Sequence, residues 1–189
     1  DGICIRYEAE STRDTFVSLT NHAYFNLAGH GNGSVLDHTL ALAAEEYTPA
    51  GADNLPFGRL APVAGTALDF CTENSLGARI GDALLAPLHG YDHNFVLSGR
   101  GIRRAAKLSC PRSGVSMAVD TTMEGMQLYT ANFLSARAGK GGVQYKPYSG
   151  VCLETQRFPD AMHHAAFPSP LLRAGMRYDE RTEYRFTLV

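Results

Sequence analysis

What this sequence lacks narrows its role before anything it contains does. Its 17 Lys+Arg nearly balance its 19 Asp+Glu, for a formal net charge of -2 and a pI near 6.4. There is thus no basic field to draw in nucleic acid. The one basic cluster, RGIRRAAK at 100–107, stands alone. No run of 18 apolar residues occurs, so no membrane-spanning helix is expected, and DGICIRYEAESTRD lacks the basic start and apolar stretch of a signal peptide. The four cysteines, Cys4, Cys71, Cys110 and Cys152, form no CxxC pair. This argues against a zinc ribbon or a redox dithiol and fits a cytoplasmic or other reducing compartment. Cys4, Cys110 and Cys152 lie in or beside strand-like runs, where a thiol acts as a small apolar group.

Motifs are missing too. There is no GxGxxG or GxxxxGK[ST] for a nucleotide, no GxSxG for a serine nucleophile and no HExxH for zinc. Other histidine spacings are no better: His89 and His93 are separated by a glycine turn, and the neighbours His163 and His164 point apart if extended. No metal and no cofactor is expected. Helix signals are almost absent, and the one permissive stretch, NSLGARIGDALLA at 74–86, contains two glycines. No repeat, linker or low-complexity segment divides the chain, so residues 1–189 are read as a single domain.

What remains is a series of short strand-like runs. They include GICIRYEA, FVSLTNHAYF, LDHTLALAA, HNFVLSG, AAKLSC, VSMAVDTT, MQLYTANFL, GVCLETQ and MRYDERTEYRFTLV, separated by turn signals such as GHGNGS, SGRG and AGKGG. Such spacing predicts an antiparallel all-β sandwich or barrel. The last run alternates most regularly, with Tyr178, Glu180, Thr182, Tyr184 and Phe186 opposing Asp179, Arg181, Glu183, Arg185 and Thr187, a face charged along its length. One face in a core and one in water would produce that pattern.

Several polar residues interrupt these runs where chemistry is conceivable. Extended pairing of DTFVSLTNHAYFNL places His22 with Ser18, Thr20 and Tyr24, away from Val17 and Leu19; a solvent-facing role fits as well as a functional one. In GYDHNFVL, Asp92 and His93 are expected in a turn before a strand, either reaching a cleft or bonding their own backbone. Gln127 and Tyr129 share the less greasy face of MQLYTANF. Glu154 stands mid-strand between Cys152 and Gln156, where partial desolvation would make it a usable base, although surface strands carry glutamates as well.

Taken together, the strings LTNHAYFNLAG, LDHTLALAAEEYTPAGADNLPFGRLAPVAGTALDF, GYDHNFVL, GMQLYTANFL, SGVCLETQRFPDA and FPSPLLRAGMRY resemble the galactose mutarotase (aldose 1-epimerase) family, in that family's order and over nearly all of the chain from residue 15. The resemblance implies an antiparallel β-supersandwich that interconverts the α and β anomers of a hexose such as galactose or glucose. By the same resemblance His22 would be the general acid toward the ring oxygen and Glu154 the base at the anomeric hydroxyl. Asp92 and Gln127 would bind the sugar. No metal or cofactor is implied, since opening a hemiacetal needs only one proton delivered and one withdrawn.

Family members are longer at the N-terminus, and the additional portion supplies an arginine and a second histidine to the sugar. The sandwich in this chain is therefore expected to be incomplete. A separate chain carrying the other half, or docking into a larger assembly, is the corresponding expectation for partners. A truncated structural module is the alternative reading of function. Hydrolysis of a glycoside by Asp92 and Glu154 is a further one, since two carboxylates suffice for it.

Overall fold

The computed structural model describes residues 1–51 and 53–188. Two antiparallel sheets dominate it. The first has six strands in the order Gly2–Glu10, Arg177–Leu188, Val115–Thr121, Arg103–Cys110, Thr39–Leu42 and Asn74–Ser75. The second, here the site sheet, has five: Cys152–Gln156, Gly125–Tyr129, Asp92–Val96, Glu46–Tyr47 and Ala61–Pro62. Short pairs, Arg137–Ala138 with Gln144–Tyr145 and Leu171–Leu172 with Thr15–Phe16, trim the edges. The all-β expectation holds. Among the described residues no helix is long and apolar enough to cross a membrane.

Alternation along the strands builds the core. Leu40, Leu42, Leu108, Met117, Val119 and Tyr184 of the first sheet and Phe95, Met126, Leu128 and Leu153 of the site sheet are buried in one cluster. Arg177–Leu188 behaves as its pattern predicts, with Tyr178, Thr182 and Tyr184 buried and Asp179, Arg181 and Arg185 exposed. The strand bearing Glu154 is also fastened across the core. The Tyr184 hydroxyl donates to the Leu153 carbonyl at 3.2 Å, and the Thr155 and Thr182 hydroxyls meet at 2.5 Å. These contacts hold an outer strand of the site sheet against its partner sheet.

Three local expectations fail, and no α-helix forms where NSLGARIGDALLA permits a short one. FVSLTNHAYF is not a continuous strand: pairing stops after Phe16 and returns only as a bridge between Phe25 and Val151. Between them side chains take over the backbone's bonds, Asn21 Oδ1 accepting from the Ala23 N–H and Asn26 Oδ1 from the Ala28 N–H. Asn is prone to this competition with the ladder. Asp92 and His93 are the first two residues of a strand rather than a turn, because Tyr129 and Leu128 pair with them. NSLGARIGDALLA contains no α-helix; its start pairs with Thr39–Leu42 and its end leads into a 3-10 turn at Ala86–Leu88. Finally, Cys4 is exposed rather than packed, although Cys110 and Cys152 are buried.

Candidate active site

The site is assembled from the registers of three neighbouring strands. Asp92 pairs with Tyr129 and Tyr129 with Cys152, while Asn94 pairs with Gln127 and Gln127 with Glu154. Paired residues project from the same face of a sheet, and so do positions two apart along a strand. Six side chains therefore stand in two ranks on the face turned away from Phe95, Met126, Leu128 and Leu153. The alternation that buries those four in the core is what aims Asp92, Gln127 and Glu154 outward.

Over this face lies a cavity of about 430 Å³, within the usual range for small-molecule sites. His22, Asp92, Gln127 and Glu154, the four residues singled out by sequence, all line it. Among the described lining residues there is no lysine and no arginine. Glu154 is 7% exposed, whereas the His22 side chain is 51% exposed. His22 Nε2 lies 3.4 Å from Glu154 Oε1. The imidazole and the carboxylate thus stand side by side rather than on opposite sides of a ligand-sized space.

Two other residues fix Asp92. Gln127 Nε2 donates to its Oδ1 at 2.7 Å, and Asn54 Nδ2 donates to its Oδ2 at 3.2 Å. Burial nevertheless holds the Asp92 carboxyl above the ordinary aspartate range, against the pull of these two donors and of His22. Burial likewise raises the Glu154 carboxyl; His22 opposes the rise and the Asp92 charge adds to it. The cavity therefore holds two carboxylates poised to take up protons. His93, buried beneath, is pushed down to about 4 by desolvation and stays neutral. Its Nδ1 accepts the backbone N–H of Asp92 at 3.0 Å.

Unlike the sheet residues, His22 is positioned by aromatic rings. Tyr24 stacks on it with centroids 5.1 Å apart and planes at 24°, and Tyr129 meets it edge-on at 6.2 Å. The Tyr129 hydroxyl accepts the Phe133 N–H at 3.1 Å, so that ring is anchored in turn. The loop carrying His22 is tied to the Glu154 strand by the Phe25–Val151 bridge, whose two N–H···O bonds measure 2.8 and 2.9 Å. Gly150 leaves room for this approach, since a methyl group there would meet the Tyr24 Cβ at 3.2 Å. Sequence reasoning missed Asn54 and gave Tyr24 no role. Asn54 lies in a family-matching string with nothing local to mark it, while Tyr24, two residues from His22, was legible as its neighbour.

Comparisons with known proteins identify the relatives of this chain. The family model described as aldose 1-epimerase matches residues 1–185. Galactose mutarotase of Mus musculus is 40% identical over 188 residues, covering 98% of this chain and 54% of its own length. Aldose 1-epimerase of Escherichia coli strain K12 is 34% identical over 189 residues, covering 97% of this chain and 54% of its own length. Among solved structures, an aldose epimerase homologue from C. elegans superposes with a TM-score of 0.89 at 26% identity, over 100% of this chain and 56% of that one. Galactose 1-epimerase from Lactobacillus acidophilus gives 0.84 at 27% identity, over 99% and 53%. The chain spans about half the length of the curated relatives it matches. With the family's match running from the first strand almost to the end of the last, this chain belongs to the aldose 1-epimerase family.

Proposed function

We propose that this site interconverts the α and β anomers of an aldohexose by acid–base catalysis, with His22 as the acid and Glu154 as the base. The observation that carries the reading is the 3.4 Å approach of His22 Nε2 to Glu154 Oε1 at the wall of a sugar-sized cavity. The ring oxygen and the anomeric hydroxyl oxygen are both bonded to C1, so an acid and a base that serve them must be neighbours. In the forward step Glu154 takes the proton of the anomeric hydroxyl and the C1–ring oxygen bond breaks. The electron pair goes to the ring oxygen, which receives a proton from His22. Rotation about C1–C2 presents the other carbonyl face, the two groups exchange roles, and the ring closes with no net change in protons.

Asp92 and Gln127 hold the sugar in this account. Gln127 uses its amide N–H on Asp92, while its Oε1 is buried with no hydrogen-bond partner. A sugar hydroxyl donating to that oxygen would satisfy it. Asp92, fixed by Gln127 and Asn54, would accept from a second hydroxyl. Four free thiols suit a reducing compartment, and residues 1–189 are proposed to act as one unit.

Polarimetry tests the assignment. The purified chain is expected to speed the equilibration of α-D-galactose or α-D-glucose above the buffer rate. Each positioned proton-transfer group contributes about 10²- to 10⁴-fold, so Glu154→Gln and His22→Ala should each lose that much. Variants that equilibrate the sugar as fast as the parent would overturn the assignment.

A further inference from the structure

One side chain beside the proposed acid and base has no part in their chemistry. Cys152 lies two residues before Glu154 on the same strand and face, fully buried beside its ladder partner Tyr129 and free as a thiol. The ligand atoms of His22, Cys152 and Glu154 all lie within 4.8 Å of one another. Zinc holds nitrogen and oxygen ligands at about 2.0–2.1 Å in a tetrahedron, which puts two of them about 3.3–3.4 Å apart. His22 Nε2 and Glu154 Oε1 stand at 3.4 Å. A thiolate bonded at about 2.3 Å would stand about 3.6 Å from the other two. Reaching that geometry from within 4.8 Å asks at most about 1.2 Å of closure from the sulfur.

The electrostatics favour a cation at this point. Two carboxylates, Asp92 and Glu154, line the cavity, and no described lining residue carries a permanent positive charge. Burial raises the Cys152 thiol, and the charges of Glu154 and Asp92 raise it further. The thiol therefore has no counter-charge of its own. A divalent ion would supply one to both anionic ligands. Thiolate, imidazole and carboxylate together select zinc-class ions over magnesium or calcium, which favour oxygen alone.

We propose that His22, Cys152 and Glu154 form a binding site for a soft divalent cation of the zinc class, and that the filled site is catalytically silent because its ligands are the acid and the base. Binding releases the thiol proton to solvent as the metal–sulfur bond forms, with no change of oxidation state, so affinity rises with pH. Three protein ligands leave a fourth position for water. The site went unseen in sequence because His22 lies far along the chain from the other two ligands. Only the bridge between Phe25 and Val151 brings its segment alongside. The silencing rests on the acid–base reading above; the binding does not.

The test is a titration of the metal-free chain with Co²⁺, followed by displacement with Zn²⁺ against a chromophoric chelator. One equivalent of Co²⁺ should produce a thiolate-to-metal charge-transfer band in the near ultraviolet, and one equivalent of Zn²⁺ should abolish it. Removing even an outer-shell partner typically weakens metal sites about 10- to 100-fold, so Cys152→Ser and His22→Ala should each weaken Zn²⁺ by about 100-fold or more. Stoichiometric Zn²⁺ should also stop mutarotation until a chelator is added. A Co²⁺ complex with no thiolate band would place the ion elsewhere and would overturn the proposal. So would a band that persists in Cys152→Ser, or full sugar turnover with the band developed. Because the band is read on the parent chain without sugar, it tests the metal site even if the chain fails as a mutarotase.

Discussion

The two walls of the cavity are built by different means. On one side Asp92, Gln127 and Glu154 rise from three paired strands, and their spacing is set by backbone registers that cannot slip by one residue without exposing Phe95, Met126 and Leu153. On the other, His22 and Asn54 sit on irregular chain, held by a stacked ring and by single hydrogen bonds. The sheet wall is buried at Glu154 and half-buried at Asp92 and Gln127, and its carboxyls are held above their ordinary ranges. The loop wall stays half open to solvent at His22. The difference teaches a division of labour: the sheet supplies the burial that raises the carboxyls, while the loops set access and aim and, through His22, temper that rise.

The largest test of that division is Glu154→Gln, which should act on activity and stability in opposite directions. A carboxyl whose folded value is raised favours the folded state when protonated, and it loses that advantage as pH rises through the raised value. At neutral pH the parent therefore carries a buried carboxylate that the amide does not. Glu154→Gln should show a higher melting temperature than the parent near pH 7, with the difference shrinking as pH falls through the raised value and gone below about 4.3, the ordinary glutamate value. Its mutarotation should meanwhile fall about 10²- to 10⁴-fold. Calorimetry across pH beside polarimetry separates lost chemistry from lost fold. A variant that is both inactive and less stable at neutral pH would show that the sheet wall holds no charge under tension.

Asp92→Asn probes the same wall through its neighbour. Hydrogen bonds to charged groups contribute about 1.5–3 kcal/mol, so losing this acceptor should lower kcat/KM about 10- to 150-fold. The pH profile is the sharper readout. Glu154 must be ionised to act as the proposed base, so activity should fall as pH drops through its raised value. Because the Asp92 charge adds to that rise, Asp92→Asn should move the acid limb of kcat/KM to lower pH. His22→Ala, which removes the opposing influence, should move the limb of its residual activity to higher pH. Limbs that stay in place would mean that the two carboxyls do not sense each other.

The same contrast explains what was legible in the sequence. The strand period alone placed Gln127 with Tyr129 and Glu154 with Cys152, opposite Met126, Leu128 and Leu153, and the ladder pairs Gln127 with Glu154 and Tyr129 with Cys152 as that reading requires. Periodicity works there because one side of each strand must be dry. For His22 the same counting had no such anchor. Its segment is not a strand between Phe16 and Phe25, because asparagine side chains satisfy the backbone that a ladder would otherwise have used. The family's motif found the residue where alternation had no ladder to follow. Asn54 and the proximity of Cys152 to His22 depend on contacts between distant segments, which no local pattern encodes.

The smallest effect is expected on the loop wall, at Tyr24. Stacked aromatic pairs contribute about 0.5–1.5 kcal/mol beyond their burial, so Tyr24→Ala should slow mutarotation about 2- to 10-fold, and Tyr24→Phe, which keeps the ring, should restore most of the rate. If Tyr24 acts only by aiming the imidazole, it has nothing to aim once His22 is gone. The double variant His22→Ala/Tyr24→Ala should then be no slower than His22→Ala, whereas independent sites would multiply their losses. The charge of Glu154 should feel the change only through His22, with the acid limb of the Tyr24→Ala profile lying between those of the parent and of His22→Ala. A limb displaced beyond that of His22→Ala would mean that the stacked ring also governs the charge of Glu154 directly, and the two walls would then have to be treated as one unit.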